Sequence, residues 1–438
     1  MLSYYLKLSW LSIKRTPILT SLMIVAIGLG IGVSMTVLTV NYMMDKDPIP
    51  EKSHQLYHVQ LFSYGKGHSN SQTEDAFPMQ VTYPDAMNIH RSEVPLRKTR
   101  SLATGFTVIP ESADSPPFMQ SARAIDYQFF DMFNVPFIFG STWNEQIDQS
   151  PREVVVIDKE LNNRLFNGEN SVGKAVNLGS VRYTVVGVID TWQPAPRFYD
   201  LNNGNFNESE SIFVPFSLLP VHELPSWGNN NGWKTEKINN YQEKLASEQM
   251  WNQYWVELPT KEVKEEYQQW LEGYISEQQK LGRFENEKAG ASLKNVIQWM
   301  KVNQVVPSDN SILVGLSFMF LAVCMINTIG LLLAKFLRRA PEVGVRRALG
   351  ASRSEIFIQH LVDVAFIGIL GGALGLLLGQ LGLLGVKTLY SSYSQLVHMD
   401  LTLIVLAIGI ALGSSVIAGM YPAWLICRTN PSVYLKIQ

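Results

Sequence analysis

The sequence predicts an α-helical membrane protein with four transmembrane helices and a large α+β domain inserted between the first and the second. Three observations carry that prediction. The 438 residues are 46% hydrophobic and only 17% charged, against roughly 25% charged in an ordinary soluble domain. The charge is concentrated in one block, residues 45–310, which hold 24 Lys+Arg and 34 Asp+Glu, a local balance of −10. Long uncharged runs flank that block on both sides. The mean hydropathy of +0.04 therefore averages a membrane part and an aqueous part. A wholly soluble globule and a compact channel are both excluded. The net charge of −2 offers no basic surplus for nucleic-acid binding.

The first span is residues 18–44. Ile18 to Met44 runs 27 residues without a charge, about 40 Å as a helix against the roughly 30 Å of a bilayer core. A signal peptide has an apolar stretch of only about 7–15 residues, so the run reads as a retained anchor. Residues 1–17 precede it as a short N-terminal segment. An amphipathic helix on the inner leaflet is one reading of Met1 to Arg15, although Leu2, Tyr5, Leu6, Leu8, Trp10 and Ile13 do not make one clean face. Residues 311–334 form the second span and residues 401–426 the fourth, both uncharged. Residues 356–386, the third, carry a single charge, Asp363.

Orientation follows from the placement of Lys and Arg in short flanking loops. Lys7, Lys14 and Arg15 precede the first span. Lys335, Arg338, Arg339, Arg346, Arg347 and Arg353 lie around the loop 335–355, and Arg428 and Lys436 in the tail 427–438. The loop 387–400 has only Lys387. Both termini and the Arg-rich loop are thus expected in the cytoplasm, with 45–310 and 387–400 on the outer side. Cys324 and Cys427 are the only cysteines, so the outer domain uses no disulfide although its compartment permits them.

Within the outer domain, β-rich runs stand at Gln55–Phe62, Glu153–Ile157, Tyr183–Ile189 and Ser211–Pro215. Helical stretches are expected near Tyr83–Arg91, Tyr127–Phe133 and Lys159–Phe166. The clearest is Thr260–Leu281, where Val263, Tyr267, Trp270, Leu271, Tyr274 and Ile275 recur at helical spacing. Asn202–Asn207 and Gly228–Asn240 read as loops. Gly168 to Ala175 imitates a phosphate-binding loop, but Ala175 stands where a Mg²⁺-binding hydroxyl belongs, and the segment runs from helix to strand. His54 and His58 are four apart in a strand-like run with no third ligand nearby, which points to a structural role. No metal, cofactor or catalytic residue is expected in this chain.

The loop Arg338 to Ser352 contains a short basic helix, with Pro341 and Glu342 suited to its start and Gly350 to its stop. Such a helix can dock on another protein and pass force to the spans. In the third span Gly368, Gly371, Gly372, Gly375 and Gly379 repeat a small-x-x-x-small spacing, and Gly28 with Gly32 does so in the first. These glycines suit close helix packing within one chain or between two chains.

At residues 339–352 the chain resembles the FtsX-like permease family, whose best-known branch is the MacB-type ABC exporter. Further matches are Asp126 to Phe130, Val154 to Ile157, Leu165-Phe166, Asn170 to Lys174 and Val185 to Val188, in the order of the MacB-type periplasmic core. Tyr421-Pro422-Ala423 and Asn430-Pro431 resemble the family's close. The chain departs from the pattern at Asp363, where many relatives carry Glu, and at Cys427-Arg428.

The resemblance implies a type VII permease subunit without a fused ATPase, since about 17 residues precede its first span. ATP and Mg²⁺ would be bound by a separate ATPase dimer beneath two permease chains, identical or paired with a sister chain. Glu342, Arg346 and Arg347 are the expected ATPase contacts, with Gly344 and Gly350 shaping the helix. Export of a peptide, lipopeptide or drug-like molecule through a periplasmic adaptor and outer-membrane duct is the leading expectation. Lipoprotein release and FtsX-like activation of cell-wall hydrolases are the alternatives, and residues 200–300 match no pattern that would choose between them.

Overall fold

A computed structural model of the chain describes residues 2–70, 75–111, 115–307, 309–389 and 401–428. The loop residues 390–400 and the tail 429–438, with Asn430, Pro431 and Lys436, lie outside them. The chain divides into two compact units, Lys46–Val305 and Met1–Asp45 with Val306–Gln438.

The helical unit holds four helices long and apolar enough to cross a membrane: Pro17–Asp45, Asp309–Arg338, Arg353–Leu389 and Leu401–Arg428. The large domain stands between the first and second of them in the chain. A separate N-terminal helix, Leu2–Arg15, precedes the first span, and a connecting helix, Ala340–Ala348, joins the second to the third. The shared core takes Ile27, Ile31 and Met35 from the first span, Leu321 and Leu332 from the second, Val364 and Ile367 from the third, and Ala407 and Ala411 from the fourth.

Glycine lets the spans close. A side chain begun at Gly28 would meet Leu374 at 2.9 Å, and one at Gly32 would meet Leu378 at 2.8 Å. Reciprocally, Gly371 and Gly375 of the third span receive Ile27 and Ile31, each at 2.7 Å. Gly379 accepts a hydrogen bond from Thr36 Oγ1 at 3.4 Å. Gly368 and Gly372 face the fourth span at Ser415 and Ala411. All these glycines therefore meet partners within one chain.

The domain Lys46–Val305 is built on a mixed sheet. Its strands are β1 (Leu56–Leu61), β2 (Val81–Thr82), β3 (Arg97–Ile109), β4 (Phe118–Ile125), β5 (Phe137–Gly140), β6 (Val154–Asp158), β7 (Ala175–Leu178), β8 (Val181–Ile189), β9 (Ile212–Pro215), β10 (Met250–Glu257) and β11 (Ala291–Asn295). The order is β11-β1-β10-β3-β4-β9-β6-β8-β5, with β2 on β10 and β7 bridging β3 and β8. The pairs β4–β9 and β6–β8 are parallel. Every residue of β10 is buried, as a central strand rich in aromatic side chains requires.

The helices start where the sequence offers caps. Asp158 accepts from Leu161 N at 2.7 Å to open Lys159–Phe166, and Thr260 opens Lys261–Lys280. On that helix Tyr267, Leu271, Tyr274 and Ile275 pack against Val59, Leu61 and Tyr254. Two long strands, β3 and β4, and the central β10 lie outside the β-rich runs expected from the sequence. Phe129–Met132 is a single turn, shorter than the stretch Tyr127–Phe133.

An ionic cluster sits inside this domain. Arg123 of β4 is fully buried and donates to Asp200, to Glu210 Oε1 at 2.7 Å and to Ser101 Oγ at 2.7 Å. Arg197 and Tyr199 also bond Glu210, at 3.3 and 2.9 Å. Burial alone would raise the Glu210 carboxyl, but the Arg123 and Arg197 charges outweigh it and hold it down at about 2. A buried carboxylate is tolerable only when paired in this way.

Candidate functional site

The connecting helix is the feature on which sequence and structure converge. Proline in its first turn and Glu342 near its positive end favour its start, and Arg346 and Arg347 favour its last turn. Gly350 then takes a left-handed φ of +105°, which ends the helix at little cost for a residue without a side chain. Val343 and Gly344 are buried, and Val343 joins the core of the spans with Phe336, Ala340 and Ile356.

The charged residues of this helix turn toward the rest of the chain. Arg346 Nη2 donates to Glu342 Oε1 at 2.7 Å, and its Nη1 to Gln359 Oε1 of the third span at 2.9 Å. The other Glu342 oxygen faces Arg339 Nε at 3.5 Å and Arg15 Nη1 of the N-terminal helix at 3.7 Å. Arg347 Nη1 donates to the Cys427 carbonyl at the end of the fourth span, at 3.3 Å. The residues left facing outward are Pro341, Val345, Ala348, Leu349 and Gly350. Leu349 is 84% exposed and Val345 47%. Glu342, Arg346 and Arg347 thus brace the helix against three other helices, and its free face is apolar. Val345 and Leu349, at i, i+4 spacing on that face, are not among the contacts expected from the sequence.

The two imitations of other chemistry resolve structurally. Gly168 to Lys174 is a turn between helix Lys159–Phe166 and β7: Gly168 and Gly173 take φ of +79° and +85°, and Gly173 N donates to the Val185 carbonyl at 2.8 Å. Lys174 Nζ pairs with Glu169 at 3.2 Å. His58 is buried and stacked on Trp299, ring centroids 3.8 Å apart, with Trp255 edge-on at 5.1 Å. Burial pushes its imidazole down to about 3. Among the described residues no group of three or more His, Cys, Asp or Glu is placed to hold a metal ion.

Comparison with known proteins identifies the class. Residues 20–274 match the MacB-like periplasmic core domain, and residues 314–431 match the FtsX-like permease C-terminal domain. The chain belongs to this family of ABC transporter permeases, membrane proteins with a periplasmic-type domain between the first two spans.

Among its relatives, an uncharacterized ABC transporter permease of Bacillus subtilis, YvrN, is 23% identical over 84% of each chain. The macrolide export ATP-binding/permease protein MacB of Syntrophobacter fumaroxidans is 23% identical over 71% of this chain and 46% of its own length. That of Pasteurella multocida is 24% identical over 72% and 43%. The chain therefore spans less than half the length of those MacB relatives. Among solved structures, the periplasmic region of MacB from Actinobacillus actinomycetemcomitans is matched at 14% identity over 57% of this chain and 94% of that one, with a TM-score of 0.36.

Proposed function

We propose that this chain is a permease subunit that passes ATP-driven movement from a separate ATPase dimer to the domain 46–305, so that a substrate on the far side of the membrane is exported. The observation that carries this reading is the apolar face of the connecting helix, with Leu349 84% exposed at the end of a helix braced from behind by its own charges. A short helix held this way can receive a push at one face and deliver it to the spans on the other.

The Lys and Arg distribution supports a cytoplasmic position for that helix and for both termini. A second permease, a copy or a sister chain, would complete the assembly, and a periplasmic adaptor with an outer-membrane duct would carry the substrate onward. Relatives are named for macrolide and pyoverdine export, which supports a peptide-, lipopeptide- or drug-like cargo. The test is affinity capture of the tagged chain in a gentle detergent, followed by mass spectrometry. Recovery of an ABC ATPase is expected. A carrier of lipoproteins or a cell-wall hydrolase in place of an adaptor would redirect the reading, and the absence of any ATPase would overturn it.

A further inference from the structure

We propose that Ser12, Arg339 and Asp363 form a buried latch by which the N-terminal helix fixes the connecting helix against the spans, so that movement passes to the second and third spans only while the latch is closed. This mechanical role rests on the reading of the connecting helix as the ATPase contact; the latch itself does not.

Asp363 lies on the third span and is 3% exposed. Its Oδ2 accepts from Ser12 Oγ at 3.0 Å and stands 3.2 Å from Lys335 Nζ and 3.8 Å from Arg339 Nη1. Arg339 Nη1 also donates to Ser12 Oγ at 2.9 Å. One carboxylate oxygen therefore gathers the N-terminal helix, the end of the second span, the entry to the connecting helix and the third span. Arg339 Nε continues the chain of contacts to Glu342 at 3.5 Å, and Glu342 to Arg346 at 2.7 Å.

Lys335 is fully buried, so the carboxylate cannot turn away without leaving a cation unpaired in apolar surroundings. That constraint holds the acceptor in place for Ser12 and Arg339. The N-terminal helix is oriented to match: Ser9 and Ser12 are buried while Trp10 and Leu11 are exposed. The two serines thus face the protein, which brings the Ser12 hydroxyl to Asp363. Ser12, Arg339 and Asp363 are positioning residues in this account.

The test places nitroxide labels at Leu11 and Leu349, both exposed, in the full-length chain and reads their distance distribution. A narrow distribution is expected. Ser12→Ala should lose the narrow peak while leaving the Lys335–Asp363 pair intact. Asp363→Asn strands the buried lysine and so risks misfolding, and the second variant is therefore Lys335→Met with Asp363→Leu. Replacing a buried ion pair by apolar groups of similar volume commonly preserves the fold. That double variant should also lose the peak, and Asp363→Glu should keep it.

In the complex captured through a tag, a second label pair at Ile312 and Leu381 should shift on adding ATP with vanadate. Ser12→Ala should abolish the shift with the ATPase still bound. An unchanged Leu11–Leu349 distribution in both latch variants would overturn the latch. A broadened distribution with an undiminished ATP-driven shift would overturn its mechanical role. If the unsubstituted complex contains no ATPase, the reading of the connecting helix falls and the mechanical role with it, while the label distances still decide the latch.

Discussion

Arg346 closes on Glu342 across one turn of the connecting helix, Nη2 to Oε1 at 2.7 Å, and the same guanidinium reaches Gln359 on the third span at 2.9 Å. These charges already hold partners within the chain, so the proposed docking contact falls on Val345 and Leu349. Leu349→Asp should cost about 2 kcal/mol or more of docking free energy, roughly thirtyfold in affinity, as truncating a central apolar anchor does. Glu342→Gln removes only a half-exposed ion pair, about 0.3–0.5 kcal/mol. Titration of the purified permease with its captured ATPase measures both. Equal losses in the two variants would return the contact to the charged residues.

Lys174 offers a control for topology and for the imitation of a phosphate-binding loop. Its ammonium pairs with exposed Glu169 at 3.2 Å, and the neighbouring Gly173 amide is occupied by the Val185 carbonyl. Lys174→Ala should leave ATP hydrolysis by the captured complex unchanged and shift stability by less than about 0.5 kcal/mol. A loss of hydrolysis in an assembled complex would place this residue at the nucleotide.

The buried cluster around Arg123 makes a sharper demand. Arg123→Met removes the cation between Asp200 and Glu210 and leaves two carboxylates in the interior with Arg197 as their remaining charged partner. Such a loss typically costs about 3–5 kcal/mol. Denaturant unfolding followed by tryptophan fluorescence should show the unfolding free energy falling by that amount. Arg197→Met should cost less, because its contacts to Asp200 and Glu210 are longer, 3.8 and 3.3 Å.

His58 should govern part of the acid sensitivity of the same domain. Its imidazole sits between Trp299 and Trp255, and burial holds it at about 3 against an ordinary 6.5. The unfolded chain therefore binds a proton that the folded chain refuses between those values. The contribution is full above pH 6.5 and declines on acidification toward pH 3, by about 1.4 kcal/mol per pH unit. His90, held at about 4 by burial, acts in the same direction, and Asp148, raised to about 8 chiefly by burial, acts oppositely. The measurement is therefore a difference: His58→Phe should flatten the stability–pH curve below pH 6.5 relative to the parent chain. Parallel curves would show that the imidazole does not titrate on unfolding.

What could be read from the sequence depended on whether the signal was local. The uncharged run Ile18 to Met44 needs no partner to be recognised, and neither does the stop at Gly350. Strand β3 begins Arg97-Lys98-Thr99-Arg100, which hides the alternation that marks a half-buried strand. In β4, Arg123 is buried because its partners Asp200 and Glu210 come from 77 and 87 residues away. Lys335 reads in the sequence as one more topology-setting charge, but its side chain is buried facing Asp363 on the third span. On the connecting helix, Arg346 and Arg347 bond Gln359 and Cys427 of the third and fourth spans, partners 13 and 80 residues away that no local pattern announces.

The glycines of the first and third spans distinguish packing within a chain from packing between chains. A Cβ at Gly32 would stand 2.8 Å from Leu378 Cβ and 3.2 Å from the Gly375 carbonyl oxygen, so both side chain and backbone would have to yield. Gly32→Ala should therefore destabilise the spans by about 1–3 kcal/mol, the usual cost of overpacking a close helix contact. Gly409 and Gly413 of the fourth span have nothing within 4 Å of the equivalent position. Alanine there should be neutral or slightly favourable for the isolated chain, since glycine is a weak helix former. Thermal unfolding of the purified permease in detergent checks this contrast. Chemical cross-linking of the captured complex then adds a second reading: if Gly413→Ala leaves the isolated chain intact but weakens pairing of two permeases, the fourth span lies at their interface. If pairing also survives, the open glycine face is turned to lipid, and the close contacts of the glycine repeats serve the single chain alone.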